Sequence, residues 1–190
     1  MWKLEAEDKR ELLQIARETL QKYFLEKKRT RMASPNPRLA DPGAAFVTLT
    51  IQGQLRGCIG NLGFSSPLSE VVSQCAISSA VEDFRFSPLT AEELVRVEIE
   101  ISVLSPLEEV HSTEEITVGE HGLVISRGGN RGLLLPQVAS KYGWDRETFL
   151  QETCRKAGLP GDAWKKGARI QVFTAQVFSE KEIGDGSAPL

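Results

Sequence analysis

Arg56 and Cys58 form the pair of residues in this sequence that most clearly suggests chemistry. They lie two positions apart in the segment LRGCIG at residues 55–60, at the end of a run that reads as a β-strand. Side chains at positions i and i+2 of a strand point to the same face, so the guanidinium and the thiol are expected to project together. A cation beside a thiol favours the thiolate, which attacks electrophiles or binds metal. The spacing therefore predicts a reactive site around Cys58.

The glycines beside the thiol allow two interpretations. Gly57 and Gly60 carry no side chains, so a ligand or another backbone segment could approach closely there. Alternatively, Cys58 is a small buried residue on a central strand, and the neighbouring arginine is ion-paired with Glu82 or Asp83. In that case the glycines serve tight backbone packing. The sequence leaves both interpretations open.

Further side chains could complete a site around the thiol. A nucleophilic cysteine needs a base or a strong positive field, and the candidate acid–base partners are Glu82, Asp83 and His121. An anionic substrate would be held by guanidinium or amide groups, and the candidates are Arg85, Arg131 and Gln137.

Other kinds of site find no support in the sequence. There is no C-x-x-C pair, and His111 and His121 lack the spacing of metal ligands on a helix, so no metal site is predicted. Neither G-x-x-x-x-G-K-[ST] nor G-x-G-x-x-G occurs, and no organic cofactor is predicted. Cys75 and Cys154 fall at packing positions of predicted helices. Cys58 is therefore the candidate reactive thiol.

Composition narrows the class of protein. The chain has 190 residues, of which 41% are hydrophobic and 26% charged, and its net charge is −3. These values are typical of a single globular domain, and the charge argues against a nucleic-acid binder. The basic run at residues 27–31, interpreted as a solvated helix end, is the feature that would support nucleic-acid regulation. Three cysteines without framework spacing, no signal-peptide pattern and no apolar run of about 20 residues predict a cytoplasmic protein that does not enter a membrane.

The helical pattern is clear in several segments. A 3.6-residue apolar period predicts a first helix over residues 8–28, with Asp8 as its N-cap. Ser-Pro at residues 66–67 predicts the start of a helix that runs to about Val81, and Thr90 with Glu93 forms a capping box. Later helices are expected to begin at Pro136 and after Asp145. Residues 30–43 are proline-rich and predict an irregular connection.

The strand pattern is antiparallel in character. Hairpins are predicted at residues 44–51 with 54–59, and at 123–125 with 133–135. Strict alternation predicts strands at 97–103 and 168–178, followed by a frayed tail from 179 to 190. Helices and strands are interspersed without regular βαβ order. The pattern predicts an α+β fold with a mixed, mostly antiparallel sheet flanked by helices.

Several blocks of the sequence together resemble the AMMECR domain family. They are LRGCIG at 55–60, PL at 67–68, D-x-R-F-x-P-L at 83–89, EIEISVLSP at 98–106, HGL at 121–123, RGLLLPQVA at 131–139, GWDRETFL at 143–150 and CRKAGLP at 154–160. The resemblance runs in order from about residue 10 to residue 178, so residues 1–190 are interpreted as a single AMMECR-type domain. Many members have Asp-Pro-Arg-Phe-Pro-Pro-Leu in the block at 83–89. This chain has Phe84 and Ser87 in place of two of those prolines, which affects the expected stiffness of the loop.

The resemblance implies a fold and a set of partners but no reaction. The family fold is α+β, with a larger lobe, a smaller lobe and a cleft near the LRGCIG segment. Members resemble the first component of the AmmeMemoRadiSam system, which implies Memo-type and radical-SAM proteins as partners. Any radical chemistry would belong to such a partner.

Two functions are consistent with these features, and the sequence does not decide whether the protein is an enzyme. The first is an enzyme or enzyme component that acts on a small anionic or nucleotide-linked substrate, through a cleft containing Arg56 and Cys58. The alternative is a non-enzymatic binding or adaptor module for a Memo-type or radical-SAM partner.

Overall fold

A computed structural model describes residues 3–183, which divide into two compact units. The first unit comprises residues 3–104 and 176–183, and the second comprises residues 105–175. In chain order the helices are α1 (Ala6–Glu26), α2 (Pro37–Ala40), α3 (Leu68–Val81), α4 (Ala91–Leu94), α5 (Pro136–Tyr142), α6 (Arg146–Lys156) and α7 (Glu180–Ile183). The strands are β1 (Ala44–Ile51), β2 (Gln54–Asn61), β3 (Val97–Leu104), β4 (Glu108–Glu109), β5 (Gly122–Arg127), β6 (Asn130–Leu134), β7 (Arg169–Phe173) and β8 (Ala175–Ser179).

The first unit is built on a four-stranded sheet in the order β2-β1-β3-β8. β1 pairs antiparallel with both β2 and β3. Its alternate residues Ala45, Val47 and Leu49 are fully buried in the core that also contains the apolar stripes of α1 and α3. The side chains between them, such as Thr48, lie on the other face of the sheet and are only partly buried.

The β1–β2 hairpin fixes the register around Cys58. Gln52 and Gly53 have φ angles of 54° and 74°, and such a pair of left-handed residues makes a two-residue turn that matches the twist of the strands. The pairing places Thr48 opposite Cys58. On its other side Thr48 faces Glu100 of β3. The predicted hairpin is therefore present, and it aligns one residue from each of three strands.

The second unit has its own sheet and its own core. The strand order is β4-β7-β5-β6, and β5 pairs antiparallel with β6 and β7. The tight turn at Gly128, with φ of 60°, joins β5 to β6 as the sequence predicts. Phe149 and Cys154 of α6 are fully buried against Leu123 and Ile125 of β5.

The α+β class predicted from the sequence is confirmed, and several local predictions need correction. Asp8 is the third residue of α1, where its carboxylate accepts the Glu5 N–H at 2.8 Å, so Glu5 is the N-cap. The segment 30–43 contains the short helix α2. The first error concerns a few residues at the end of a helix, where boundaries are hard to place. The second concerns a helix of four residues, which is too short to show an apolar period.

The predicted strand at 168–178 is wrong in a more important way. It is two strands, because β7 belongs to the sheet of the second unit and β8 to that of the first. Thr174 separates them, and its backbone exchanges hydrogen bonds with Ser105, at 2.9 Å to the Ser105 N–H and 3.0 Å to the Ser105 Oγ. Alternation along one chain cannot reveal a change of partner strand. Residues 180–183 form α7, which corrects the start of the predicted tail, and residues 184–190 lie outside the described range.

None of the helices in residues 3–183 is long and apolar enough to cross a membrane.

Candidate functional site

The backbone of Cys58 is held by the loop that follows α3. β2 is the edge strand of its sheet, and the Cys58 N–H points away from β1 and donates to Asp83 Oδ2 at 2.9 Å. The Cys58 carbonyl accepts from Arg85 Nη2 at 3.4 Å. A carboxylate and a guanidinium, from residues two positions apart, thus make the hydrogen bonds that a neighbouring strand would make. They satisfy an edge that would otherwise offer unpaired backbone groups.

Asp83 and Arg85 form a close ion pair. Arg85 Nε lies 2.9 Å from Asp83 Oδ1, and its Nη2 lies 2.6 Å from Oδ2. The Asp83 side chain is only 4% exposed. Hydrogen bonds from the Arg85 side chain and from the Cys58 and Arg85 backbone lower the pKa of Asp83 to about 2, against the effect of burial. Asp83 is therefore ionised at neutral pH, and in this geometry it orients the strand that carries the thiol.

The sulfur of Cys58 lies in a setting that favours the thiol. Thr48 Oγ1 donates to the Cys58 Sγ at 3.3 Å. Burial raises the pKa of Cys58, and the charges of Asp83 and Glu100 act in the same direction, whereas the Thr48 hydrogen bond and the Arg85 charge lower it. The net effect is a raised pKa. The lowered pKa expected from the sequence is therefore wrong, because partial burial outweighs the nearby cation.

Arg56 does not activate the thiol, because its guanidinium is fully engaged elsewhere. Its Nε and Nη2 each lie 2.9 Å from a carboxylate oxygen of Glu93. Its Nη1 donates to the Ser87 carbonyl at 2.8 Å, and its Nη2 also lies 3.4 Å from the Pro88 carbonyl. The pairing lowers the pKa of Glu93 to about 2. Arg56 thus ties the segment before α4 to the edge strand.

This arrangement corrects the partner expected for Arg56. The alternative interpretation of the sequence paired it with Glu82 or Asp83, but Glu93 lies on α4, beyond the block in which a partner was sought. Glu82 is exposed and forms an ion pair with Arg29. Two carboxylates, Glu93 and Asp83, therefore neutralise the two arginines nearest to Cys58.

Gly57 permits a very close approach of α3 to the sheet. A Cβ atom at this position would lie 2.0 Å from the Ser79 carbonyl oxygen, a distance that real side chains do not tolerate. The Ser79 hydroxyl reaches between the two strands of the hairpin. It accepts the Ile59 N–H at 2.8 Å and donates to the Val47 carbonyl at 2.7 Å. The glycine therefore serves backbone packing.

Gly60 makes room for an aromatic ring. A Cβ atom there would lie 2.3 Å from the ring of Phe46, its cross-strand neighbour on β1. The space beside both motif glycines is filled by the protein itself. This supports tight packing over an opening for a ligand at these two positions.

The remaining residues predicted for the site belong to the second unit. His121 Nδ1 accepts the Thr117 N–H at 3.1 Å, which holds the ring in a turn before β5. Arg131 is exposed on β6, and Gln137 is exposed in the first turn of α5. Their participation in a site with Cys58 stays a prediction.

Thr48 and Glu100 are site residues that the sequence did not reveal. Thr48 lies directly opposite Cys58, Glu100 lies directly opposite Thr48 on its other side, and both are partly buried on the same face of the sheet. Burial raises the pKa of Glu100, and the charge of Glu182 adds to the effect. The alternation at 97–103 predicts a solvent-facing Glu100, but register between distant strands is decided by tertiary packing. Among the described residues no group of three or more His, Cys, Asp or Glu side chains could hold a metal ion.

The comparisons with known proteins agree with this description. The profile of the AMMECR1 family matches residues 13–178, and the chain belongs to that family. Protein Mbar_A1807 of Methanosarcina barkeri is 40% identical over 91% of this chain and 90% of its own length. A protein of Methanothermobacter thermautotrophicus is 42% identical over 93% of this chain and 96% of its own length.

A solved structure shares the fold. The crystal structure of the uncharacterized protein PH0010 from Pyrococcus horikoshii superposes with a TM-score of 0.83 at 39% sequence identity. The match covers 90% of each chain. Identity at this level over nearly the whole chain supports the α+β fold as well as membership of the family.

Proposed function

We propose that the protein is an enzyme, or the substrate-binding component of one, that acts on a small anionic or nucleotide-linked substrate held beside Cys58. The observation that carries this proposal is an accessible thiol next to an arginine with one uncommitted nitrogen. Cys58 is partly exposed, whereas Cys75 and Cys154 are buried. Arg85 uses Nε and Nη2 for Asp83 and the Cys58 carbonyl, and its Nη1 makes no hydrogen bond within residues 3–183.

The two arginines near the thiol have different parts in this proposal. Arg85 is half-exposed, and its Nη1 offers a charged donor to a carboxylate or phosphate, a group that guanidinium binds well. Arg56 has no nitrogen left for a substrate, so its part is to hold the edge of the sheet. Binding an anion at Arg85 would bring the rest of the substrate to the sulfur, which acts as the nucleophile.

A pair of alkylating reagents tests the anion site. Iodoacetate and iodoacetamide react with thiols in the same way, but only iodoacetate is an anion. The measured quantity is the rate constant for iodoacetate divided by the rate constant for iodoacetamide. We expect this ratio at Cys58 to exceed that of a free thiol such as glutathione, and to fall in Arg85→Met. Arg29→Met removes an exposed, paired arginine of the same unit and should leave the ratio unchanged. A wild-type ratio equal to that of glutathione would contradict an anionic substrate.

Covalent chemistry is tested by the mass of the protein from its native host. An adduct on Cys58 that disappears in Cys58→Ser, while the peptides of Cys75 and Cys154 stay unmodified, supports the nucleophile. An unmodified protein that also shows no adduct after incubation with host extract argues against a covalent intermediate.

The alternative function is a binding or adaptor module, and one observation favours it. Phe84 is 96% exposed at the tip of a turn closed by the Phe86 N–H and the Asp83 carbonyl at 3.0 Å. A large apolar ring that is exposed to water, within the block at 83–89 that contacts the Cys58 strand, suits a contact with another protein. Memo-type and radical-SAM proteins are the partners to test.

Co-purification separates the two functions. If the protein is an adaptor, a co-expressed Memo-type or radical-SAM partner is retained by Cys58→Ala and lost by Phe84→Ser. Val95 is 86% exposed and provides a control, because Val95→Ser removes another well-exposed apolar side chain elsewhere in the same unit. Retention of the partner by Phe84→Ser would show that the exposed Phe84 ring does not bind it.

A further inference from the structure

A thiol, a hydroxyl and a carboxyl form a row across three strands of the first sheet. Cys58 on β2 faces Thr48 on β1, which in turn faces Glu100 on β3. Residues directly opposite on neighbouring antiparallel strands have Cβ atoms about 4.5–5.5 Å apart. The link between Thr48 Oγ1 and Cys58 Sγ is present at 3.3 Å. We call these three residues the Cys58 row.

Glu100 is an unusual residue for the middle of a strand. It is partly buried, yet no cation or hydrogen-bond donor pairs with its carboxylate among the described residues. A carboxylate removed from water without a counter-ion reduces stability, and proteins tolerate such groups chiefly at functional sites. Glu98 lies two positions earlier on the same face. It is exposed, so its carboxylate stays in contact with water and carries no such cost in stability.

The charges around the row leave Glu100 as the group best placed to accept a proton. β1 and β8 contribute no titratable side chain. The other charged groups that face the row are Arg56 with Glu93, Arg85 with Asp83, Glu98 and Glu182. The carboxylates of the two ion pairs have a pKa of about 2, which makes them very weak bases. Burial instead raises the pKa of Glu100, which makes it a better base.

We propose that Glu100 accepts the proton of the Cys58 thiol and that Thr48 is the positioning residue that relays it. This inference rests on the proposed role of Cys58 as a nucleophile. In the structure the Thr48 hydroxyl donates to the sulfur, so the relay begins when that hydroxyl turns towards Glu100 and Oγ1 accepts a hydrogen bond from the thiol. As the sulfur forms a bond to an electrophilic carbon and the bond from that carbon to its leaving group breaks, the thiol proton passes to Thr48 Oγ1, and the hydroxyl proton of Thr48 passes to the Glu100 carboxylate. The second link, between Thr48 and Glu100, is not formed in the structure, and the proposal requires the Glu100 side chain to rotate towards the residue it faces on β1. Glu100 ends as a carboxylic acid, which can return the proton to a leaving group.

The pH dependence of alkylation by iodoacetamide, a neutral reagent, tests this relay. Iodoacetamide keeps the result independent of the anion site at Arg85. In Glu100→Gln we expect the rate constant at pH 7 to fall about tenfold, a modest loss for a general base. Above the pKa of Cys58 the wild type and the variant should react equally, because the thiolate is then already formed. Cys58→Ala measures the background from the buried cysteines.

Electrostatics alone predicts the opposite sign, which makes the experiment decisive. The charge of Glu100 raises the pKa of Cys58, so its removal without any relay would increase the rate at pH 7. Thr48→Ser keeps the hydroxyl and should react like the wild type, whereas Thr48→Val should behave like Glu100→Gln. Glu98→Gln is the matched control and should leave the rate constant of Cys58 alkylation at pH 7 unchanged.

Two outcomes overturn the relay. One is an equal or faster reaction of Glu100→Gln at pH 7, and the other is a Thr48→Val variant that reacts like Thr48→Ser. Neither affects the ratio of iodoacetate to iodoacetamide, which tests the proposed function separately. Thermal unfolding of each variant verifies that the rates refer to folded protein.

Discussion

Replacement of Asp83 by asparagine tests the claim that this carboxylate fixes the strand carrying Cys58. An aspartate ordinarily titrates near 3.8, and the pKa of Asp83 is about 2 in the folded protein. That difference corresponds to about 2.5 kcal/mol of stability at neutral pH. Arg85 is half-exposed, so screening by solvent reduces the effect. We therefore expect Asp83→Asn to lose about 2 kcal/mol at pH 7.

The sign of the pH dependence follows from the lowered pKa. The stabilisation is fully present above the unfolded pKa of Asp83 and is lost as the pH falls through the folded value. Urea unfolding of both proteins between pH 8 and pH 3 measures it. The difference between wild type and Asp83→Asn should be constant from pH 8 to about pH 5 and shrink below about pH 4.

A matched control makes the assay specific. Asp162 is an exposed carboxylate paired with Lys166, and Asp162→Asn should not measurably change the urea midpoint. If Asp83→Asn matches the wild type at pH 7, or if its deficit persists undiminished at pH 3, the ion pair does not hold the edge strand as described.

Three further predictions follow from the same region. Gly57→Ala should destabilise the protein by about 3 kcal/mol or more, because its Cβ would lie 2.0 Å from a backbone oxygen of α3, whereas Gly129→Ala has open space and should be nearly neutral in thermal unfolding. Arg56→Met should lower the free energy of unfolding by about 1–3 kcal/mol. A double-mutant cycle with Glu93→Gln should assign most of that loss to the interaction between the two side chains. Cys58 should alkylate more slowly at pH 7 than a free thiol and titrate above about 8.5, and a lower value from the pH profile would contradict its raised pKa.

Local patterns predicted most of the elements correctly. The β1–β2 hairpin, the capping box of Thr90 and Glu93 and the burial of Cys75 all depend on residues close together in the sequence. The alternating run at 168–178 shows the limit of that information. Each residue in it has the pattern of a strand, but the change of sheet at Thr174 depends on which strands are already present as neighbours.

The sequence by itself determined the family, the fold class and the choice of Cys58 as the central residue. The LRGCIG segment, the block at 83–89 and the absence of other motifs were enough for that, because residue types and short spacings carry this information. Asp83 was also recognised as a candidate acid–base partner and Arg85 as a candidate substrate-positioning group, but their hydrogen bonds to the Cys58 backbone were not predicted.

Only the tertiary structure decided the electrostatics around the thiol. Arg56 pairs with Glu93, 37 residues away, and not with the neighbouring thiol. Partial burial raises the pKa of Cys58, whereas the arginine two positions away in the sequence predicts a lowered pKa. Thr48 and Glu100 enter the site through strand register. Charges and burial act through space, so their effect on Cys58 depends on which distant segments pack beside it.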